Sequence, residues 1–354
     1  MAMFGFVLRA IWTFLVVGLR RLFRGPRHPD WSYRFESLAE LIRNENARGL
    51  GLPPEVLRRG LGATPIPKRI RRQVHHERTT IAGIPTETFA PLAWTEADPT
   101  ILYLHGGGYV VCSPATHRDL IARISIAAGA RTVAINYRKA PEHPFPAAID
   151  DAEAAYRALV ASGVPESRLF VAGDSAGGGI ALALLLRLKA SSSKMPRAAV
   201  LLSPWVDLET SGVSIKEHSK YDYLPPLGLP WAIGHYLQGQ DPKHPEASAI
   251  NADLSGLPPL LIQTGGAELF YTENLALAER AAEAGVRVTH DIQNGMIHVF
   301  QAFATYAPEC APAIDRIGAF VQRELHRPDP ASAPPASKSA AASVGGWDEH
   351  SAAQ

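Results

Sequence analysis

The 354-residue chain predicts an α/β fold on a mostly parallel sheet, and three observations carry that expectation. Short apolar runs, "TILYLHG", "RTVAINY", "SRLFVAG", "AAVLLSP" and "PPLLIQTG", are each followed by a glycine, proline or other turn signal, and most then by a helical stretch. They are apolar at successive positions rather than at alternate ones, which is the pattern of strands covered on both faces. Hydrophobic residues make up 46% of the chain and charged ones 19%, enough material for one large core.

The elements follow in order. "MAMFGFVLRAIWTFLVVGLRRLFRGPR" winds into an amphipathic helix, with Val7, Leu8, Ile11, Leu15 and Leu22 on one stripe and Arg9, Thr13, Arg20 and Arg24 opposite. Its uncharged run between Arg9 and Arg20 is short of the roughly 20 residues that span a bilayer, and no secretory cleavage pattern follows it. Three placements stay open: lying in the headgroup region, spanning at a tilt, or packing on the core. The first is preferred, with Arg20, Arg21, Arg24 and Arg27 facing anionic lipid at the inner face of a membrane and the main domain in the cytoplasm.

Residues 28–65 read as helical with proline breaks. "RQVHHERTTIAG" and "IPTETFAP" resemble an antiparallel edge pair ahead of the parallel strands. Helices are expected at 114–128, 147–162, 176–190, 272–284 and 298–323, with "VRVTHDIQ" as the last strand. Residues 215–240 break the strand-helix rhythm with an aromatic-rich insertion that suits a cap. The division is therefore 1–27 as a membrane-associated segment, 28–326 as one domain capped by 28–65 and 215–240, and 327–354 as a disordered Pro/Ala/Ser-rich tail.

Charge is sorted along the chain: residues 1–78 hold 15 Lys/Arg against 6 Asp/Glu, and the remainder 20 against 28. The apolar helix attached to the basic part favours a membrane surface over nucleic acid as its partner. Cys112 and Cys310 are too few and too distant for a disulfide framework or a zinc site, which fits a reducing compartment.

The chemistry lies in two glycine-rich turns. In "FVAGDSAGGGIALALLL" a strand breaks into Gly173-Asp174-Ser175-Ala176-Gly177 and becomes a helix, a Gly-x-Ser-x-Gly elbow that projects the serine from the sheet. Side chains at Gly173 and Gly177 would collide across that turn, and Asp174 suits a role in fixing it. In "LYLHGGGYVV" the run Gly106-Gly107-Gly108 lets backbone N–H groups approach an oxyanion closely, with His105 as a pin for the loop rather than a base.

A serine needs a base and a group to orient it. The chain order of serine, acid and histidine selects His298 in "NGMIHVFQAF" after the last strand, and Glu268 in "GAELFYTEN" after the strand before it. Glu273 and Asp207 are the competing acids, and His290, His235 and His244 read as structural or surface residues. Tyr109, Tyr221, Tyr223, Trp231 and Tyr236 suit either a substrate pocket or the packing of the cap.

With these residues in place the chain resembles the hormone-sensitive-lipase-like branch of the α/β-hydrolases, which includes bacterial family IV esterases. The likeness spans about residues 70–325 and rests on "HGGGYV", "YRKAPEHPFPAAIDD", "GDSAGGG", "SPWVDL" and "GMIHVF". It implies an eight-stranded sheet with a helical cap, no cofactor or metal, and hydrolysis of carboxylic esters or lactones. It also implies Ser175 as nucleophile, His298 as base, and an oxyanion hole from the N–H groups of Gly107, Gly108 and Ala176. Many members carry Asp-Pro-Leu where this chain has Glu268-Leu269-Phe270, so the acid departs from the commoner pattern. Two other readings share the fold: a receptor-like binder without catalysis, and an amidase or peptidase using the same triad.

Overall fold

A computed structural model describes residues 2–328; the expected disordered tail lies outside them from residue 329 onward. Four helices come first, α1 (Ala2–Arg24), α2 (Tyr33–Gly49), α3 (Pro54–Gly60) and α4 (Lys68–Arg71). Strands β1 (Val74–Ile81), β2 (Ile84–Pro91) and β3 (Thr100–Leu104) follow. The chain then alternates: α5 (Arg118–Ala128), β4 (Arg131–Ile135), α6 (Ala147–Ala161), β5 (Leu169–Asp174), α7 (Ala176–Ala190) and β6 (Ala198–Leu202). The insertion holds α8 (Ser214–Glu217) and α9 (Gly228–Leu237), before β7 (Leu260–Gly265), α10 (Tyr271–Glu283), β8 (Val288–Gln293) and α11 (Ala311–His326).

All eight strands form one sheet in the order β1-β2-β4-β3-β5-β6-β7-β8. Strands β1 and β2 form the antiparallel edge pair that the sequence predicts, β2 also runs antiparallel to β4, and every other pairing is parallel. Alternate side chains divide the core: Leu102, Leu104 and Val171 join the cluster of α6 and α7, while Ile101, Tyr103 and Phe170 join that of α5 and α11. With both faces covered, an apolar residue is tolerated at every strand position, hence the runs without alternation.

From β3 the chain crosses to β4 on one side, and β5 then forms on the other side of β3. The carboxyl ends of β3 and β5 are therefore the switch point where an open α/β sheet leaves a crevice. The two glycine-rich turns lie at those two ends.

One predicted helix is divided. Instead of a helix over 298–323, short 3-10 turns occupy Phe300–Phe303 and Pro308–Cys310, and α11 begins at Ala311. Val299 has φ 45°, outside helical geometry, and Pro308 removes an N–H donor and disfavours a helical Ala307 before it.

The N-terminal helix corrects a second expectation. Arg20 and Arg21 both bond the buried Glu36 of α2, Arg9 pairs with Glu45 at 2.7 Å, and Arg27 pairs with Glu40 at 2.8 Å. Only Arg24 of the four arginines expected to face lipid stays exposed. Glu36 and Glu40 lie one turn apart on α2 and Glu45 lies farther along it, and with these pairs α1 docks through its charged side. Glu36 is only 1% exposed. Removing its arginines would leave a buried carboxylate uncompensated, at about 3 to 5 kcal/mol.

Candidate active site

Strand β5 ends at Asp174 and α7 begins at Ala176, leaving Ser175 between them at φ 53°, ψ −124°. A residue with a Cβ occupies that region only at a cost of order 1–3 kcal/mol, and such strain gathers at functional sites. The turn is tight because its glycines admit no side chain: a Cβ on Gly173 would lie 2.3 Å from the Gly177 carbonyl oxygen, and one on Gly177 would lie 2.0 Å from that of Leu104. A Gly177→Ala substitution is therefore expected to cost about 3 kcal/mol or more, read as a lower urea midpoint. Gly60→Ala, where the added carbon meets nothing within 4 Å, should stay within about 0.5 kcal/mol.

The loop after β3 faces this elbow. A Cβ on Gly106 would lie 3.1 Å from that of Ser175, and Gly107 and Gly108 take φ 120° and 58°. Gly107 accepts two turn hydrogen bonds, from Val110 and Val111, which close the loop on itself. Among the described residues nothing accepts from the N–H groups of Gly107, Gly108 or Ala176. Ala176 follows Ser175 directly at the N-terminal end of α7, the end of a helix that favours a developing anion.

Asp174 ties the two turns together. Its Oδ1 accepts from the Tyr103 hydroxyl at 2.7 Å and the Gly106 N–H at 3.0 Å, and its Oδ2 lies 3.2 Å from His117 Nε2. Burial pushes the Asp174 carboxyl up, but the His117 charge and these bonds outweigh it and hold it below its ordinary value. His117 is raised: its burial is outweighed by the Asp174 charge. His105 lies flat against Tyr137, with centroids 4.3 Å apart, and its Nδ1 meets the Gly106 carbonyl at 2.7 Å. Its burial disfavours the charged form and takes it well below the ordinary histidine value.

His298 lies between β8 and the Phe300 turn and is 1% exposed. Its ring meets Phe270 edge-on at 5.0 Å and stands 6.1 Å from Tyr223, and both ring nitrogens lack a hydrogen-bond partner. Burial pushes its pKa down to about 3, so it is neutral over the working range.

Glu268 is fully buried on the turn after β7. Its Oε2 accepts from Ser203 Oγ at 2.6 Å and the Gly265 N–H at 2.8 Å, and its Oε1 from Asn274 Nδ2 at 2.9 Å. Burial takes its pKa up to about 8 against the Ser203 bond, with the Asp222 charge adding to the rise. No hydrogen bond joins Glu268 to His298 in this arrangement.

Two bridges hold their loops together instead. Ser203 Oγ also accepts from the Val299 N–H at 3.0 Å, and Asp222 accepts from the N–H groups of Leu269 at 2.7 Å and His298 at 3.4 Å. Burial raises Asp222 to about 6. The elbow joins the same knot, since the Ser175 N–H donates to the Leu202 carbonyl at 2.9 Å, one residue before Ser203.

The competing acids are engaged elsewhere. Asp207 accepts from the N–H groups of Glu209 and Ser211, and Glu273 from that of Val206. His290 of β8 meets Thr264 of β7, His235 meets Trp231, and His244 meets Phe145.

The aromatic candidates separate into groups. Tyr109 and Tyr236 stack on each other at 3.8 Å, each no more than 2% exposed, so they pack α9 onto the glycine loop. Trp231 stays partly exposed on α9. Tyr221 meets Trp31 and His28 of the N-terminal segment. Tyr223, beside His298 and Phe303, is the one nearest the histidine. Sequence reading passed over Ser203, Asp222, Asn274 and His117. Of these, Ser203 stands directly before the proline of "SPWVDL", and the structure holds it at φ 46°.

The sheet order and the elbow at its switch point define the class, an α/β hydrolase. Residues 101–302 match the profile of the α/β-hydrolase fold family. An acetyl-hydrolase of Streptomyces hygroscopicus is 44% identical over 224 residues, 63% of this chain and 75% of that protein. An esterase of Acinetobacter venetianus is 34% identical over 295 residues, 82% of this chain and 96% of its own length. Among solved structures, the EstE5 crystal soaked with p-nitrophenyl butyrate superposes with a TM-score of 0.78 at 38% identity, covering 83% of this chain and 99% of that one. An esterase from the bacterial hormone-sensitive lipase family gives 0.71 at 34% identity, over 90% and 98%. The chain belongs to the α/β-hydrolase family, in its hormone-sensitive-lipase-like esterase branch.

Proposed function

We propose that this carboxylic ester hydrolase works by two-step acyl transfer, with Ser175 as nucleophile, His298 as base and Glu268 as the acid that supports it. Ser175 Oγ bonds to the ester carbonyl carbon as His298 takes its proton. The carbonyl electron pair moves onto oxygen, where the N–H groups of Gly107, Gly108 and Ala176 receive it. The intermediate collapses, the C–O bond to the alcohol breaks, and the alcohol leaves with the proton from His298. Water then repeats the sequence on the acyl-enzyme. The observation that carries this reading is the strained elbow of Ser175 opposite a glycine loop with free donors.

The substrates we infer are short- to medium-chain acyl esters or lactones. Ser175 is only 8% exposed, and the buried Tyr109–Tyr236 stack packs α9 against the glycine loop. Relatives named acetyl-hydrolase and esterase agree with that size. Across p-nitrophenyl esters from acetate to palmitate, kcat/KM should peak at the short end and fall by about tenfold or more at palmitate, because a chain that cannot be enclosed loses its binding contribution. Faster turnover of the matching anilide than of the ester would assign an amidase instead. A flat profile, or none above background, would overturn the proposal.

A further inference from the structure

Helix α1 turns its charged side to the protein and its apolar side to solvent. Every exposed side chain from Phe6 to Phe23 is large and apolar, among them Ile11, Trp12 at 68%, Leu19 and Phe23 at 84%. At about 100° per residue, the exposed positions from Val7 to Phe23 cover roughly half the circumference. The other half holds Arg9, Thr13, Val17, Arg20 and Arg21, of which Thr13 and Val17 are buried and the arginines are paired with Glu45 and Glu36. The outer face carries no charge; the exposed Phe6 and Arg24 lie on the other half, near the two ends of the helix.

We propose that this face is a lipid-binding surface, seating α1 along the boundary between headgroups and acyl chains by burial of apolar surface rather than by attraction of its arginines to anionic lipid. An isolated apolar ridge of this kind is larger than scattered surface residues require. A second copy of the chain fits it poorly. The helix is about 34 Å long and about 11 Å across, a footprint of roughly 400 Å², about half of what each partner gives to a standard interface. A two-helix seam also covers only a narrow stripe, whereas a lipid leaflet wets the whole half-cylinder at once. No described helix is long and apolar enough to cross a membrane, so α1 lies on the leaflet.

The inward side of the same cap reaches the site. Asn46 of α2 donates to the Tyr223 carbonyl, and the Tyr223 ring stands beside His298. Lipid face, cap and candidate histidine are successive layers of one structure. Vesicle binding is read without catalysis, so this proposal and the triad assignment fail separately.

The test uses the full chain, because deleting α1 would strand Glu36. It is floated with phosphatidylcholine vesicles, with and without phosphatidylserine, at about 0.05 M and about 0.5 M NaCl, where the screening length falls several-fold. The protein should bind pure phosphatidylcholine, with a partition coefficient that moves by less than about threefold with salt or phosphatidylserine. A Trp12→Glu, Leu19→Glu double variant should lose about tenfold or more, with unchanged circular dichroism and unchanged hydrolysis of a soluble ester. Three results would overturn the proposal: no flotation or equal flotation of the double variant; binding only to phosphatidylserine vesicles and abolished by salt; or a dimer in solution that the double variant converts to monomer.

Discussion

Ser175→Ala is expected to lower kcat for p-nitrophenyl acetate by about 10⁴ to 10⁶, and His298→Ala by a similar factor. The double variant should be no slower than either alone, since nucleophile and base act as one unit and what remains comes from the oxyanion donors and binding. The variants should keep their fold: the Ser175 side chain makes no hydrogen bond within the described residues, and neither nitrogen of the His298 ring has a partner to lose. Ser175→Gly provides a control in the opposite direction. At φ 53° the serine is strained, so glycine there should raise stability by about 1 kcal/mol while removing the nucleophile. A Ser175→Ala protein hydrolysing the ester at the wild-type rate would remove the serine from the mechanism, whatever its stability.

The strands and the two turns were legible because their signals are local. A parallel strand covered on both faces accepts apolar residues at successive positions, so β3, β5 and β7 announce themselves through short apolar runs within five or six letters each. The elbow requires glycine at 173 and 177 because the backbone of the neighbouring turn passes within bonding reach of where a Cβ would sit. That requirement shows within a pentapeptide.

What was not legible depends on pairs far apart in the chain. Ser203 meets Glu268 across 65 positions and Asp222 meets His298 across 76, and no periodicity reports such contacts. Pro308 is a local signal for the division of the last predicted helix, whereas the left-handed turn at Val299 has none in the sequence. The orientation of α1 is the most instructive case. Its amphipathicity was plain, but a helix pattern does not say which face is turned inward; the acids at Glu36, Glu40 and Glu45 on the next helix decide that. Pairing one helix's arginines with the acids of its neighbour would have reversed the expectation.

Glu268→Gln should separate catalysis from stability. If Glu268 supports the imidazolium that forms when His298 takes the serine proton, its neutral isostere should lower kcat by about 10⁴. Stability should move the other way. The folded protein holds the Glu268 proton up to about pH 8, whereas an unfolded chain releases it near about 4.3. Between those values the unfolded state binds fewer protons, so wild-type stability falls as pH rises through that window. Glutamine has no proton to lose, so the variant should have the higher melting temperature at pH 8 to about 9, with the gap closing towards about pH 4. The site can accept the amide: Asn274 Oδ1 is buried without a partner, and a flip of that side chain lets it receive the new N–H. The same proton sets the wild-type rate profile, which should climb towards about pH 8 as Glu268 ionises, and this limb should vanish in the variant. Full activity in Glu268→Gln would move the role to another carboxylate, with Asp222 first because it alone among the described acids bonds the backbone of His298.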